Sequence, residues 1–139
     1  MKNNNLDKLL EDFQRKVEYD EEQTYSEVVI HEFRNPSNFG VIEKPDVIGE
    51  IKGPCGDIMK FTINIKYERI RNVRFWTDGC GATIACGSML TKIIKEKCIK
   101  EMITDITEKE LTNALDGLPE EHLHFSRLNI NTLKRQLNN

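Results

Sequence analysis

Leu6, Leu10, Phe13 and Val17 fall on one stripe at helical spacing, with charges on the remaining positions and a run of asparagines ahead of them that can cap a first turn. This predicts an amphipathic helix over residues 6–18. The acidic stretch Glu18–Glu22 reads as a linker into a second helix. That helix begins near Tyr25 and ends before Asn35-Pro36, because a residue ahead of proline avoids helical angles. Residues 36–40 read as a turn.

The pattern then changes period. Val47–Ile51 reads as a short strand. Beyond Gly53-Pro54-Cys55-Gly56-Asp57, the residues Met59, Phe61, Ile63 and Ile65 alternate with Lys60, Thr62, Asn64 and Lys66, the two-residue repeat of a half-buried strand. Ile70–Thr77 supplies a third strand, with Tyr67–Arg69 as the hairpin connection. So short a link cannot be a parallel crossover, so the sheet is expected to be antiparallel. From Ala82 to about Lys97 the set Ala82, Ala85, Cys86, Met89, Leu90, Ile93 and Ile94 returns to spacings of three and four, a core-facing helix. Thr107 and Glu110 have the form of a capping box, opening a short helix that Gly117 stops. A last helix is expected from about Ser126 to Leu137, with Ile130, Leu133 and Leu137 inward. The polar ends, Asn3–Asn5 and Asn138-Asn139, are expected to fray. No internal repeat is visible. The elements amount to an α+β fold, with a helix and linker over residues 1–23 and one domain over residues 24–139.

Composition narrows the function classes. The 139 residues suffice for a single core, and 38% hydrophobic against 31% charged residues describes a globular chain. A net charge of -3 with acidic and basic residues interleaved leaves no basic excess for phosphates, so nucleic acid is not an expected partner. No stretch reaches the roughly 18 apolar residues of a membrane span, and no signal-peptide core is seen at the N-terminus. The expected compartment is the cytoplasm, with no membrane partner. There the four cysteines, Cys55, Cys80, Cys86 and Cys98, are candidates for ligands or reactive thiols more than for disulfides.

Two glycine-rich turns carry the candidate chemistry. In Gly53–Asp57 a cysteine and a carboxylate two residues apart face the same side at the end of the sheet. The competing reading is a tight turn with a packed Cys and a solvated Asp. In Asp78-Gly79-Cys80-Gly81, Cys80 lies where a strand gives way to a helix, whose N-terminal partial charge favours a thiolate; a small packed residue is the alternative. His122 and His124 stand just before the last helix, in a loop from which an imidazole can reach the cysteine turns, or can simply face solvent. Cys86 and Cys98 read as small hydrophobes. No acid–base pair, nucleophile–base pair or phosphate-cradling loop appears elsewhere, so a stand-alone enzyme is not expected.

In combination these segments resemble a known family. Tyr25-Ser26, Asn35-Pro36-Ser37-Asn38-Phe39-Gly40, Gly53-Pro54-Cys55-Gly56-Asp57, Gly79-Cys80-Gly81-Ala82-Thr83-Ile84-Ala85, Leu118-Pro119 and His124 occur in the order and spacing of the IscU/NifU N-terminal scaffolds. The resemblance spans about residues 24–137. It implies a three-stranded antiparallel sheet packed against helices, to which the N-terminal helix is an addition. It implies a scaffold on which a transient [2Fe–2S] cluster is assembled from iron and from sulfur supplied by a cysteine desulfurase, then passed to recipient apo-proteins. The site it implies comprises Cys55, Asp57, Cys80 and His124.

The chain departs from the family at the position after the histidine, where a third cysteine is expected and Phe125 stands. In the family that thiol is the first acceptor of sulfur. The four remaining donors can complete two tetrahedral irons or hold a single iron or zinc ion, so a mononuclear carrier or regulatory protein, or a partner-binding paralogue without sulfur acceptance, are the competing readings. Leu118-Pro119-Glu120-Glu121-His122 replaces the Leu-Pro-Pro-Val-Lys bound by a specialised heat-shock-type chaperone, so the resemblance does not carry that partner over. The insertion of the zinc-containing SufU branch is also absent between Cys80 and His124. A monomer or weak dimer is expected.

Overall fold

The computed structural model describes residues 4–53 and 56–138, with residues 4, 124 and 125 described by backbone alone. Helix α1 (Asn4–Thr24) is longer than the predicted 6–18. The acidic stretch expected to be a linker continues the helix, since glutamate is a good helix former and no glycine or proline interrupts it. Most of α1 stands clear of the domain, with Leu9, Leu10 and Phe13 59–67% exposed. At its C-terminal end Glu21 meets Arg34 at 2.8 Å. Helix α2 (Glu27–Arg34) is capped by Ser26, whose hydroxyl accepts from Val29 N at 3.0 Å and donates to the Leu115 carbonyl.

Strands β1 (Val47–Lys52), β2 (Ile58–Lys66) and β3 (Arg69–Thr77) form one antiparallel sheet in the order β1-β2-β3, with Gly49, Phe61 and Phe75 in register across it. The alternation read in β2 holds: Met59, Phe61 and Ile63 are fully buried. Thr62 is buried too, because its hydroxyl accepts from Ile42 N at 3.0 Å and needs no solvent. The β2–β3 hairpin turns on Tyr67 (φ 54°) and Glu68 (φ 62°), two left-handed residues as a type I′ turn requires. Phe61 and Phe75 each contribute about 2–3 kcal/mol by burial.

Helix α3 (Gly81–Ile94) lies across the sheet with nine residues buried, including Ala82, Ala85, Cys86 and Leu90. It approaches so closely at Gly87 that a Cβ there would lie 2.4 Å from Phe75 Cδ2. Helix α2 is tied to α3 by a carboxylate inside the protein. Glu32, 3% exposed, accepts from Ser88 Oγ and Lys92 Nζ, each at 2.7 Å.

Three further helices complete the domain: α4 (Ile99–Asp105), α5 (Glu108–Ala114) and α6 (Glu120–Leu137). Thr107 caps α5 as expected, accepting from Glu110 N at 3.2 Å, and Gly117 follows with φ 98°. α4 is not foreshadowed in the hydrophobic pattern, and α6 starts six residues before the predicted Ser126. Pro119 takes the N-cap position of α6, so residues 120–125, expected as loop, are helical. Among the described residues, no helix is long and apolar enough to cross a membrane. The family-like α+β fold expected from the motifs is the one observed.

Candidate functional site

Strand register puts the two glycine-rich turns at one end of the sheet. Lys52 pairs with Ile58, and Met59 pairs with Thr77, so the β1–β2 turn and the β3–α3 turn leave the sheet side by side. The first closes on itself: Gly53 N donates to the Asp57 carbonyl at 2.7 Å, and Gly56 turns the chain with φ 88°. The two turns are also stitched together. Ile58 N donates to Asp78 Oδ1 at 2.8 Å, Thr77 Oγ1 donates to the Ile58 carbonyl at 2.7 Å, and Gly79 N donates to Thr77 Oγ1 at 3.0 Å. Asp78 and Thr77 therefore serve to hold the turns in place.

The stitching brings Asp57 to the Cys80 turn. A Cβ on Gly79 would lie 3.1 Å from Asp57 Oδ2 and 3.0 Å from Thr83 Cγ2, so only glycine leaves room for the carboxylate and the threonine to close over this spot. Cys80 is the N-cap of α3, exposed, with its Sγ 3.6 Å from Thr83 Oγ1. Its thiol therefore stands exposed at the N-terminus of a 14-residue helix.

A third wall comes from the starts of α2 and α6. The Tyr25 ring packs edge-on against Phe33, with centroids 6.3 Å apart, and lies 6.0 Å from the His122 ring. Burial, then the negative charge of Cys80, then those of Glu121 and Glu21 raise the Tyr25 hydroxyl above its usual range. Phe33 in turn lies against the cysteine turn, its ring 2.9 Å from the position of a Cβ on Gly81, so the Tyr25–Phe33 pair links His122 of α6 to that turn. The two histidines belong to that helix and not to a loop ahead of it.

Of the four residues expected to form the site, Asp57 and Cys80 are brought together. Cys55 lies outside the described residues, between Gly53 and Gly56, and for His124 only the backbone, in α6, is described. Among the described residues, no three His, Cys, Asp or Glu side chains meet in a metal-binding group. The other two cysteines stand apart from this chemistry. Cys86 is buried, and burial first, with the Cys80 charge second, pushes its thiol up to about 12. Cys98 caps α4, its sulfur accepting from Glu101 N at 3.4 Å. Tyr25 and Thr83 were not singled out by their chemistry in the sequence; each sits within a motif, but neither local pattern announces its neighbour.

Residues 24–139 match the family described as NifU-like N terminal domain. An iron–sulfur cluster assembly scaffold protein IscU of Archaeoglobus fulgidus is 41% identical over 114 residues, covering 81% of this chain and 74% of that one. The corresponding IscU of Aquifex aeolicus is 42% identical over 112 residues, covering 78% and 71%. A nitrogen-fixing NifU-like protein (N-terminal) from Brucella abortus shares the fold at a TM-score of 0.65 and 11% identity, over 81% of this chain and 91% of its own.

Proposed function

Because the chain belongs to the NifU-like N-terminal domain family, we propose that it is an iron–sulfur cluster assembly scaffold, holding a labile [2Fe–2S] cluster or its iron through Cys55, Asp57, Cys80 and His124 and releasing it to recipient apo-proteins. The observation that carries this reading is the approach of Asp57 Oδ2 to Gly79, the residue before Cys80, at the end of the sheet where the β1–β2 turn also leaves it. The cluster is cargo, and the protein's part is to offer ligands firm enough to collect iron and sulfide and weak enough to give them up. Two soft thiolates provide the firm hold. A carboxylate, a poorer match for iron–sulfide, provides the weak point.

On this reading the chain performs no bond-breaking of its own. Its sulfur comes from a cysteine desulfurase or as free sulfide, and its place of work is the cytoplasm. Phe125, where the family pattern expects the sulfur-accepting cysteine, limits direct acceptance of sulfur, so assembly proceeds more readily from sulfide than by transfer to the scaffold.

The test is anaerobic reconstitution with ferric iron and sulfide, followed by visible absorbance and metal analysis of the desalted protein. The wild type is expected to retain a brown species with about two irons and two sulfides. Cys55→Ser and Cys80→Ser are expected to lose it, and Cys98→Ser to keep it. Equal retention by all three variants would refute the site, and zinc alone would favour a mononuclear carrier.

A further inference from the structure

We propose that Thr83 is a positioning residue for the Cys80 sulfur, donating its hydroxyl hydrogen to that sulfur and so weakening its donation to bound iron; this rests on the scaffold reading above. Thr83 occupies the third position of α3 and is 4% exposed. A threonine there ordinarily has two choices for its hydroxyl, because the carbonyls three and four residues back compete for it. The Gly79 gap settles the choice. The Thr83 methyl, Cγ2, lies 3.0 Å from the space a Gly79 Cβ would fill, and Asp57 Oδ2 bounds that space at 3.1 Å. With the methyl seated there, the hydroxyl is directed to Cys80 Sγ at 3.6 Å, its recorded partner among the described residues.

The direction of the bond follows from the chemistry of the site. A sulfur bound to iron has no hydrogen to give, so the threonine must donate. A donor on a ligand sulfur withdraws electron density from it, which favours the reduced cluster and raises its reduction potential. It also makes the sulfur a weaker iron ligand, a property suited to cargo that has to leave. Water also reaches the exposed Cys80 sulfur, but the Thr83 hydroxyl, held inside the protein, donates from a fixed position.

The experiment compares wild type, Thr83→Val and Thr83→Ser, each reconstituted anaerobically with iron and sulfide. Midpoint potential and the sulfur-to-iron charge-transfer bands are measured, and circular dichroism confirms an unchanged fold. Valine keeps the shape and removes the hydrogen. It is expected to lower the potential, move the charge-transfer bands to longer wavelength and slow transfer of the cluster to a chelator by roughly threefold or more. Serine keeps the hydrogen and is expected to restore all three towards wild type. If wild type holds the cluster and valine leaves the potential and bands in place, the Thr83 role is refuted while the scaffold stands. If valine and serine shift them equally, packing of the methyl is responsible and the role is again refuted. If wild type retains no iron, the scaffold reading itself falls, and the role of Thr83 with it.

Discussion

Gly87→Ala tests whether contact between α3 and the sheet governs the stability of the domain. The added Cβ would sit 2.4, 2.6 and 2.8 Å from three atoms of the Phe75 ring, where ordinary carbon contacts are about 3.5–4.0 Å. The ring cannot retreat. Phe75 is fully buried and meets Phe39 edge-on at 5.2 Å, and its own N–H and carbonyl are tied to Asn38 O at 3.0 Å and Gly40 N at 2.7 Å. Relief requires α3 to lift by about 1 Å, an overpacking cost at the upper end of about 1–3 kcal/mol. Alanine returns about 1 kcal/mol through helix propensity. The net is a loss of about 2 kcal/mol, or a fall in Tm of about 8 °C for a domain of this size. Urea unfolding of the metal-free protein measures it. Adding Phe75→Leu, which makes room, is expected to recover about 1 kcal/mol or more relative to additivity. A Gly87→Ala protein as stable as wild type, or two substitutions whose costs simply add, would refute the tight-contact argument.

Three other outcomes follow from side chains already described. Cys86 stays neutral up to about 12 in the folded protein but ionises near 9.0 when unfolded, so the native state holds the extra proton between these values. Stability is therefore intact below pH 9 and falls above it by up to about 1.4 kcal/mol per pH unit, and Cys86→Ala should flatten that slope in alkaline urea titrations. Lys92→Met leaves the buried Glu32 carboxylate with Ser88 as its remaining recorded partner, and should cost about 2 kcal/mol, tempered by the partial exposure of Lys92; Lys92→Met with Glu32→Gln should recover part of it in the same urea assay. Phe13→Ser, at a position 67% exposed on α1, should leave the unfolding midpoint within about 0.5 kcal/mol of wild type.

Elements whose burial repeats at a fixed period were legible in the sequence. The alternation of Met59, Phe61 and Ile63 and the three- and four-residue recurrence of Ala82, Ala85 and Leu90 are direct records of which face meets the core. The Thr107 cap was legible because it is local, a hydroxyl and an amide three residues apart. α4 escaped because seven residues bury one side chain, Met102, leaving no period to read. The early start of α6 escaped because its first turn is acidic and half exposed, and Glu120 and Glu121 look the same in a loop as at a helix N-terminus. At the site, the Asp57 and Cys80 turns could be paired from strand order. Tyr25 beside His122, and Glu32 against Lys92, join residues far apart in sequence. Nothing in a local window marks glutamate 32 as the one acid of its helix to be buried.

The outer side of β3 has a consequence for how other chains can engage this protein. An edge strand normally invites another strand to pair with it. Here the segment around Phe39 pairs with Phe75 at one end, and at the other Ile70 N donates to the Lys97 carbonyl at 2.9 Å while Glu96 N donates to the Ile70 carbonyl at 2.7 Å. Between these two clamps lie residues 71–74, bounded by two arginines: Arg71 is paired with Glu96 at 2.7 Å, and Arg74 reaches back to the Phe39 carbonyl. Too little backbone is left for strand addition, which closes this border to aggregation and to recognition by an extended peptide alike. A partner that approaches from this side has to read side chains on loops and helices, and the sheet does not grow past β3.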